Sequence, residues 1–271
     1  RPSETYLAAH ASLLFPGATA VCSLSARADT FWAPPGTVFH LKSSRFPRLR
    51  FGAEADPLLL SRFEQARLAY WLAATRPRVV LCEYLQVAVA AAGVCARLGI
   101  PLVAHSHGYD LSAQLRVPGW SEHYSRVLPH LPAVIIVSPY FRETLERLGV
   151  PPARIHVIPC GVSVSGAGLR RRHTASPAAS GVAAGRLVAK KGPILLAESI
   201  RLIRQTLPEF HCRVIGDGPF QEPLRQYLMA HRMESGVELL GAVGHERALA
   251  EIARSDILLQ HSVTAGDGDQ E

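Results

Sequence analysis

Two cations beside a glycine-proline step mark the chemistry this chain can attempt. In "AAGRLVAKKGP", residues 183–193, Gly185-Arg186 close an apolar run, Lys190-Lys191 follow, and Gly192-Pro193 open a stretch of helical period. Fixed positive charge next to a helix N-terminus, where unpaired N–H groups and the dipole already favour anions, suits a diphosphate. The same residues also fit a plain strand-to-helix connection with solvated lysines. A second turn, "VIGDGP" at 214–219, sets Gly216, Asp217 and Gly218 at the carboxyl end of another apolar run, the edge where open α/β sheets take ligands. It lacks the third glycine of G-x-G-x-x-G, so alone it is a tight turn; with the cationic loop it puts two glycine turns on one rim.

Two further groups have chemical potential. "HSHGYD", residues 105–110, follows an apolar run and spaces His105 and His107 for one face of a continuing strand. The pair fits three roles: metal ligation with Asp110 as third ligand, structural hydrogen bonding, or substrate contact through His107. The H-x-H-x-D-H metal pattern fails, because the aspartate comes one place late and Leu111 stands where a histidine belongs. The closing stretch "HSVTAGDGDQE" carries Asp267 and Asp269, a D-x-D that fits either a divalent ion on a diphosphate or a solvated loop.

The elements that must position these groups alternate. From Val79 onward, short apolar runs alternate with stretches of helical period, the pattern of β-α units around parallel sheets. "RVVLCEY", "PLVAHSHG", "AVIIVS" and "IHVIPCG" are expected strands. Val87, Ala91, Val94 and Leu98 are the expected stripe of one helix; Phe141, Leu145 and Leu148 form that of another, with Ser138 as its cap and Gly149 as its stop. "VSVSGAGLRRRHTASPAASG" has no apolar period and reads as a linker. Beyond it, "GVAAGRL", "FHCRVIGDG", "VELLGAV" and "DILLQHS" are strands. Helices fall between them, one with Leu196, Ile200, Ile203 and Leu207 on one face. Residues 4–14 read as helical and "ATAVCSL" as the first strand, so a leading strand and a part beyond the last are expected to be missing.

Composition narrows the class. The 271 residues are 48% apolar, enough for a sizeable core, and no apolar run reaches the ~18 residues of a spanning helix. The opening "RPSETYLAAH" lacks a secretory layout, and five scattered cysteines without a C-x-x-C pair suit a reducing compartment. The net charge of +7 gathers in "SSRFPRLR" and "GLRRRHT", which suits polyphosphates or an anionic membrane surface. No nucleic-acid module accompanies it, so nucleic acid is not an expected partner.

In order and spacing these motifs resemble glycosyltransferase family 4, in its bacterial polysaccharide, colanic-acid-type branch. "SETY" is similar to that branch's S-E-T-F, "HSHGYD" to its H-G-x-D, "GRLVAKKG" to G-R-L-x-x-x-K-G, "VIGDGP" to G-D-G-P, and "VSPYFRETLERLGVPPARIHVIPCGV" to the end of its first domain. The resemblance implies a GT-B fold of two Rossmann-like domains: residues 1–164 on the acceptor side, a linker at 165–180, and a partial nucleotide-sugar domain at 181–271. It implies retaining transfer, without metal or cofactor, of a sugar from a nucleotide-diphosphate donor to a glycan or polyprenyl-linked acceptor at the cytoplasmic membrane face. Gly185, Arg186, Lys191, Gly216, Asp217 and Gly218 would bind the donor. Glu271, matching the first glutamate of an E-x7-E motif, would meet the donor sugar, with His107 at the reacting carbon and Asp110 on the acceptor side. Two alternatives fit the same residues: a truncated or degenerate non-catalytic transferase, and a nucleotide-sugar 2-epimerase of the same fold.

Overall fold

The computed structural model describes residues 5–24, 38–41, 59–161 and 179–270. The chain divides into two compact units, residues 1–162 and 163–271. The basic clusters at 45–50 and 170–172 and most of the expected linker lie outside the described residues.

In the first unit α1 (Thr5–Leu13) precedes β1 (Val21–Ser23), which pairs in parallel with β2 (Val38–His40). Helix α2 (Arg62–Thr75) opens on a capping box: the Ser61 hydroxyl accepts from the Glu64 amide and the Glu64 carboxylate accepts from the Ser61 amide. Such a cap contributes roughly 1 kcal/mol by satisfying two N–H groups that the helix cannot. Then β3 (Val80–Glu83), α3 (Leu85–Arg97), β4 (Leu102–Ser106), α4 (Trp120–Val127), β5 (Ala133–Ile136), α5 (Arg142–Arg147) and β6 (Ile155–Val157) alternate. Their four strands form one parallel sheet in the order β3-β4-β5-β6. Leu85, Leu128 and Leu145 are fully buried, and each such side chain contributes roughly 2 kcal/mol by leaving water.

The stripe expected on α3 is shifted. Leu85, Ala88, Ala91, Val94 and Cys95 are buried, Val87 is half-buried, and Leu98 lies past the end of the helix, exposed. A helix written VAVAAAGV is apolar almost all round, so its periodicity cannot fix its rotation; its first turn is fixed instead by a carboxylate described below. On α5 the expected stripe holds: Phe141, Leu145 and Leu148 are buried and Gly149 stops the helix at φ 88°. Ser138 caps a short 3-10 turn, Pro139–Phe141, that precedes α5.

The second unit alternates strictly: β7 (Ser180–Ala184), α6 (Pro193–Thr206), β8 (His211–Ile215), α7 (Gln221–Ala230), β9 (Val237–Gly241), α8 (His245–Ala253) and β10 (Ile257–Leu258). All four strands are parallel, in the order β10-β7-β8-β9. The chain therefore builds outward from β7 to β9 and then returns to the other side of β7. That reversal places a crevice at the carboxyl ends of β7 and β10, where the loops that follow them leave the sheet. Gly181 in β7 is required by close approach, since a Cβ there would lie 2.7 Å from the Phe210 ring. On α6, Leu196 and Ile200 are buried, but Leu207 follows the helix and is exposed, because Pro208 disfavours helical backbone at the residue before it. Among the described residues no helix is long and apolar enough to cross a membrane.

Candidate active site

The crevice between β7 and β10 is an open cleft lined among others by Gly185, Arg186, Lys191, Pro193, Ile215 and His261. Arg186 is exposed at its rim. The Lys191 stem passes over Gly185, 3.8 Å from where a Cβ would stand. Pro193 begins α6, and its missing N–H costs nothing at that position. The cleft thus joins a guanidinium, an ammonium and the first turn of a helix, all groups that favour an anion.

The G-D-G-P turn supports this loop from behind rather than lining the cleft. The Gly185 amide donates to the Ile215 carbonyl (2.9 Å), the Leu187 amide to the Asp217 carbonyl (2.9 Å), and the Phe220 amide to the Leu187 carbonyl (3.0 Å). Two backbones can lie this close only without side chains between them: a Cβ on Gly216 would stand 1.8 Å from the Gly185 carbonyl oxygen, and one on Gly218 would stand 2.4 Å from that of Leu187. Asp217 turns its exposed carboxylate onto the Gly218 amide (2.6 Å). In this structure the turn at Gly216, Asp217 and Gly218, residues expected to bind the donor, holds the backbone on either side of Arg186.

The two adjacent lysines part company. Lys190 turns its ammonium to the Asp269 carboxylate (3.0 Å), with both side chains largely buried. Its carbonyl accepts from the Val263 amide (2.9 Å), and His261 Nε2 donates to the Gly192 carbonyl (3.1 Å). Asp267 accepts from the Asp269 amide (3.0 Å). The D-x-D segment is thus a turn strapped to the cationic loop. Lys190→Ala should loosen the strap by roughly 1 kcal/mol, as for a partly sheltered ion pair. Hydrogen exchange of amides 263–270 should then quicken about fivefold, and unchanged exchange would contradict this role.

In the first unit the HSHGYD motif is a buried polar knot. Asp110 is 0% exposed. One of its oxygens accepts from the Leu85 amide (2.9 Å), starting α3, and the other from Ser106 Oγ (2.7 Å) and the His107 amide (3.2 Å). Burial pushes its carboxyl up against these bonds. Both oxygens of Asp110, the residue expected on the acceptor side, are occupied and neither meets solvent, so in this structure it braces the loop. Asp110→Ala should cost roughly 3 kcal/mol by orphaning buried donors, seen as a lower urea midpoint; a shift under about 0.5 kcal/mol would contradict the brace.

Glu83, the last residue of β3, carries the rest of the knot. His10 Nδ1 lies 2.6 Å from one of its oxygens, and His105 Nδ1 (3.1 Å) and His107 Nε2 (2.7 Å) from the other. Burial pushes this carboxyl up, and the three imidazole bonds together outweigh it, holding the group well below the usual carboxylate range. His107 stacks on Tyr6 at 4.1 Å, and the Tyr6 and Tyr84 hydroxyls are 2.6 Å apart. Tyr84 sits at φ 73°, rare for a residue with a side chain and typical of places where the fold over-determines a functional site. Glu83, His10, Tyr6 and Tyr84 are not among the expected site residues. The available signal was the lone acid inside "VVLCEY". Of the remaining expected residues, Gly185, Arg186 and Lys191 come together at the cleft, His107 belongs to the first unit, and Glu271 lies outside the described residues.

Comparison with known proteins points the same way. The sequence model described as "Glycosyltransferase Family 4" matches residues 30–165, and that described as "Glycosyl transferases group 1" matches 181–268. WcaL of Escherichia coli (strain K12), named for colanic acid biosynthesis, is 25% identical over 225 residues, covering 82% of this chain and 54% of that protein. AmsK of Erwinia amylovora, named as an amylovoran biosynthesis glycosyltransferase, is 26% identical over 165 residues, covering 61% and 40%. The chain thus spans about half the length of these relatives. The solved structure of Anabaena Alr3699/HepE in complex with UDP and glucose superposes with TM-score 0.58 at 19% identity, covering 83% of this chain and 60% of that one. The fold is the expected GT-B class, α/β with two Rossmann-like units.

Proposed function

Because the chain belongs to glycosyltransferase family 4, we propose that it moves a sugar from a nucleotide-diphosphate donor to a growing bacterial glycan or lipid-linked acceptor, with retention at the anomeric carbon. The observation that carries this reading is the cationic cleft at the strand-order reversal of the second unit, with Arg186 and Lys191 on it. The names of the relatives, colanic acid and amylovoran biosynthesis, support a polysaccharide product. The UDP and glucose of the HepE structure support a nucleotide-sugar donor.

The chemistry follows from charge. As the glycosidic bond breaks, the sugar becomes oxocarbenium-like and the diphosphate gains charge, so a guanidinium and an ammonium fixed beside it stabilise the transition state more than the ground state. The turn 216–218 keeps them fixed, so no reorganisation is needed at the moment of reaction. The charge is met by side chains and the α6 N-terminus, and the step as proposed uses no metal. The leaving phosphate takes the acceptor's proton on the same face, which retains configuration. Glu271 is proposed to meet the donor sugar's hydroxyls, and His107, oriented by Glu83, is the group of the first unit proposed to serve the sugar. The arginine clusters at 45–50 and 170–172 are proposed to hold the protein to an anionic cytoplasmic membrane surface.

Incubation with labelled nucleotide sugars and a lipid-linked glycan acceptor tests the reading. Acceptor-dependent transfer of label supports it. Epimerised donor sugar formed without acceptor, or an untouched donor, overturns it.

A further inference from the structure

The knot around Glu83 holds a second feature that sugar transfer does not call for. One ring nitrogen or sulfur from each of His105, His107 and Cys160 lies within 4.8 Å of the others. The three come from β4, from the residue just past its end, and from the loop after β6. An ionised carboxylate only accepts hydrogen bonds, so the nitrogens that face Glu83, His105 Nδ1 and His107 Nε2, carry the protons. The other nitrogen of each ring is then the one left for a further partner. For His105 that nitrogen is Nε2, fully buried and without a hydrogen-bond partner among the described residues. A buried ring nitrogen of this kind is costly unless something pairs with it.

We propose that His105, His107 and Cys160 form a zinc site, with Glu83 as the carboxylate behind both imidazoles. Two imidazoles and a thiolate are a donor set that zinc favours, and the exposure of Cys160 leaves a fourth position for water. A histidine that binds metal through one nitrogen ordinarily gives the N–H of the other to a carboxylate, which fixes ring orientation and tautomer; Glu83 already does this for two rings at once. Ligand atoms around tetrahedral zinc sit about 3.5 Å apart, so no pair in the cluster would have to close by more than roughly 1.5 Å. The thiol gives up its proton on binding.

A neighbouring set, His10, Glu83 and His105, is equally compact. Its facing atoms already satisfy one another through bonds of 2.6 and 3.1 Å, which a metal there would have to break. A metal held by the Cys160 set through His105 Nε2 would instead relieve an orphaned nitrogen and leave the Glu83 bonds intact. Zinc bound there would take His107 out of any sugar contact and so inhibit transfer, but its binding is measurable without transfer.

The test is zinc titration of the full chain against a chromophoric chelator, with metal content by mass spectrometry and cobalt substitution as a spectral probe. One zinc per chain is expected. Cys160→Ser and His105→Ala should each weaken it at least a hundredfold, Glu83→Gln should weaken it about tenfold to a hundredfold, and His10→Ala should change it less than threefold. Cobalt should show thiolate charge-transfer absorption that Cys160→Ser abolishes. Because Cys160 is exposed, that variant is not expected to unfold, and circular dichroism checks it. No stoichiometric zinc in the wild type overturns the proposal. So does zinc held as tightly by Cys160→Ser, or lost on His10→Ala, which would move the metal to the other set.

Discussion

Replacing Arg186 and Lys191 together by alanine is expected to weaken binding of a nucleoside diphosphate about a thousandfold. Each is positioned to make a charge-assisted contact to phosphate, and such contacts contribute roughly 1.5–3 kcal/mol apiece. Two therefore amount to about 4 kcal/mol, or three decades in affinity. Turnover should fall further than binding, because negative charge on the diphosphate grows as the bond breaks. Arg186→Lys should recover only part of the loss, since an ammonium cannot meet two phosphate oxygens with a planar fork. Lys190→Ala separates the two lysines: its ammonium faces Asp269, so its effect on affinity should stay under about tenfold. Isothermal titration with uridine diphosphate reads all three variants. A double variant within threefold of wild type would remove the diphosphate from this cleft.

The second large effect is expected at Gly216. A Cβ there would stand 1.8 Å from the Gly185 carbonyl oxygen, at a backbone φ of 136° that side chains rarely adopt. Neither neighbour is a flexible side chain that could move aside; the clash is backbone on backbone. Gly216→Ala should therefore destabilise the second unit by roughly 3 kcal/mol, combining overpacking with strain. Gly218→Ala should follow at a similar size for the same reason. Gly266→Ala is the control, with nothing within 4 Å of its Cβ, and should stay within about 0.5 kcal/mol. All three tryptophans, Trp32, Trp71 and Trp120, belong to the first unit, so fluorescence would miss the change. Hydrogen exchange of the β7 and β8 amides reads it directly, and unaltered protection in Gly216→Ala would contradict the account.

The residues that were legible in the sequence are those whose role depends on local chain geometry. The strand run "GVAAG" is buried along nearly its whole length and is therefore continuously apolar, which makes it visible without any tertiary information. The Phe141, Leu145 and Leu148 stripe was legible for the same reason, being apolar residues on an otherwise polar helix. The rotation of α3 was not, because nearly every side chain on it is small and apolar and only Asp110, 25 residues away, fixes its start. The two lysines at 190 and 191 are chemically identical in a linear reading. Only the fold turns one to Asp269 and the other to the cleft. Gly216 and Gly218 were recognisable as a motif, yet their purpose is a contact with residues some 30 positions earlier, which spacing does not encode. Glu83 shows the general limit: a single acid at the end of an apolar strand has no periodic signature, and its meaning comes from three histidines that the chain delivers from α1 and β4.

The account stands or falls on where a diphosphate lies. A crystal of this chain with bound uridine diphosphate is predicted to place the phosphates at the carboxyl ends of β7 and β10, within hydrogen-bonding distance of the Arg186 guanidinium and the Lys191 ammonium. A nucleotide bound away from that crevice, with both cations facing solvent, would contradict it.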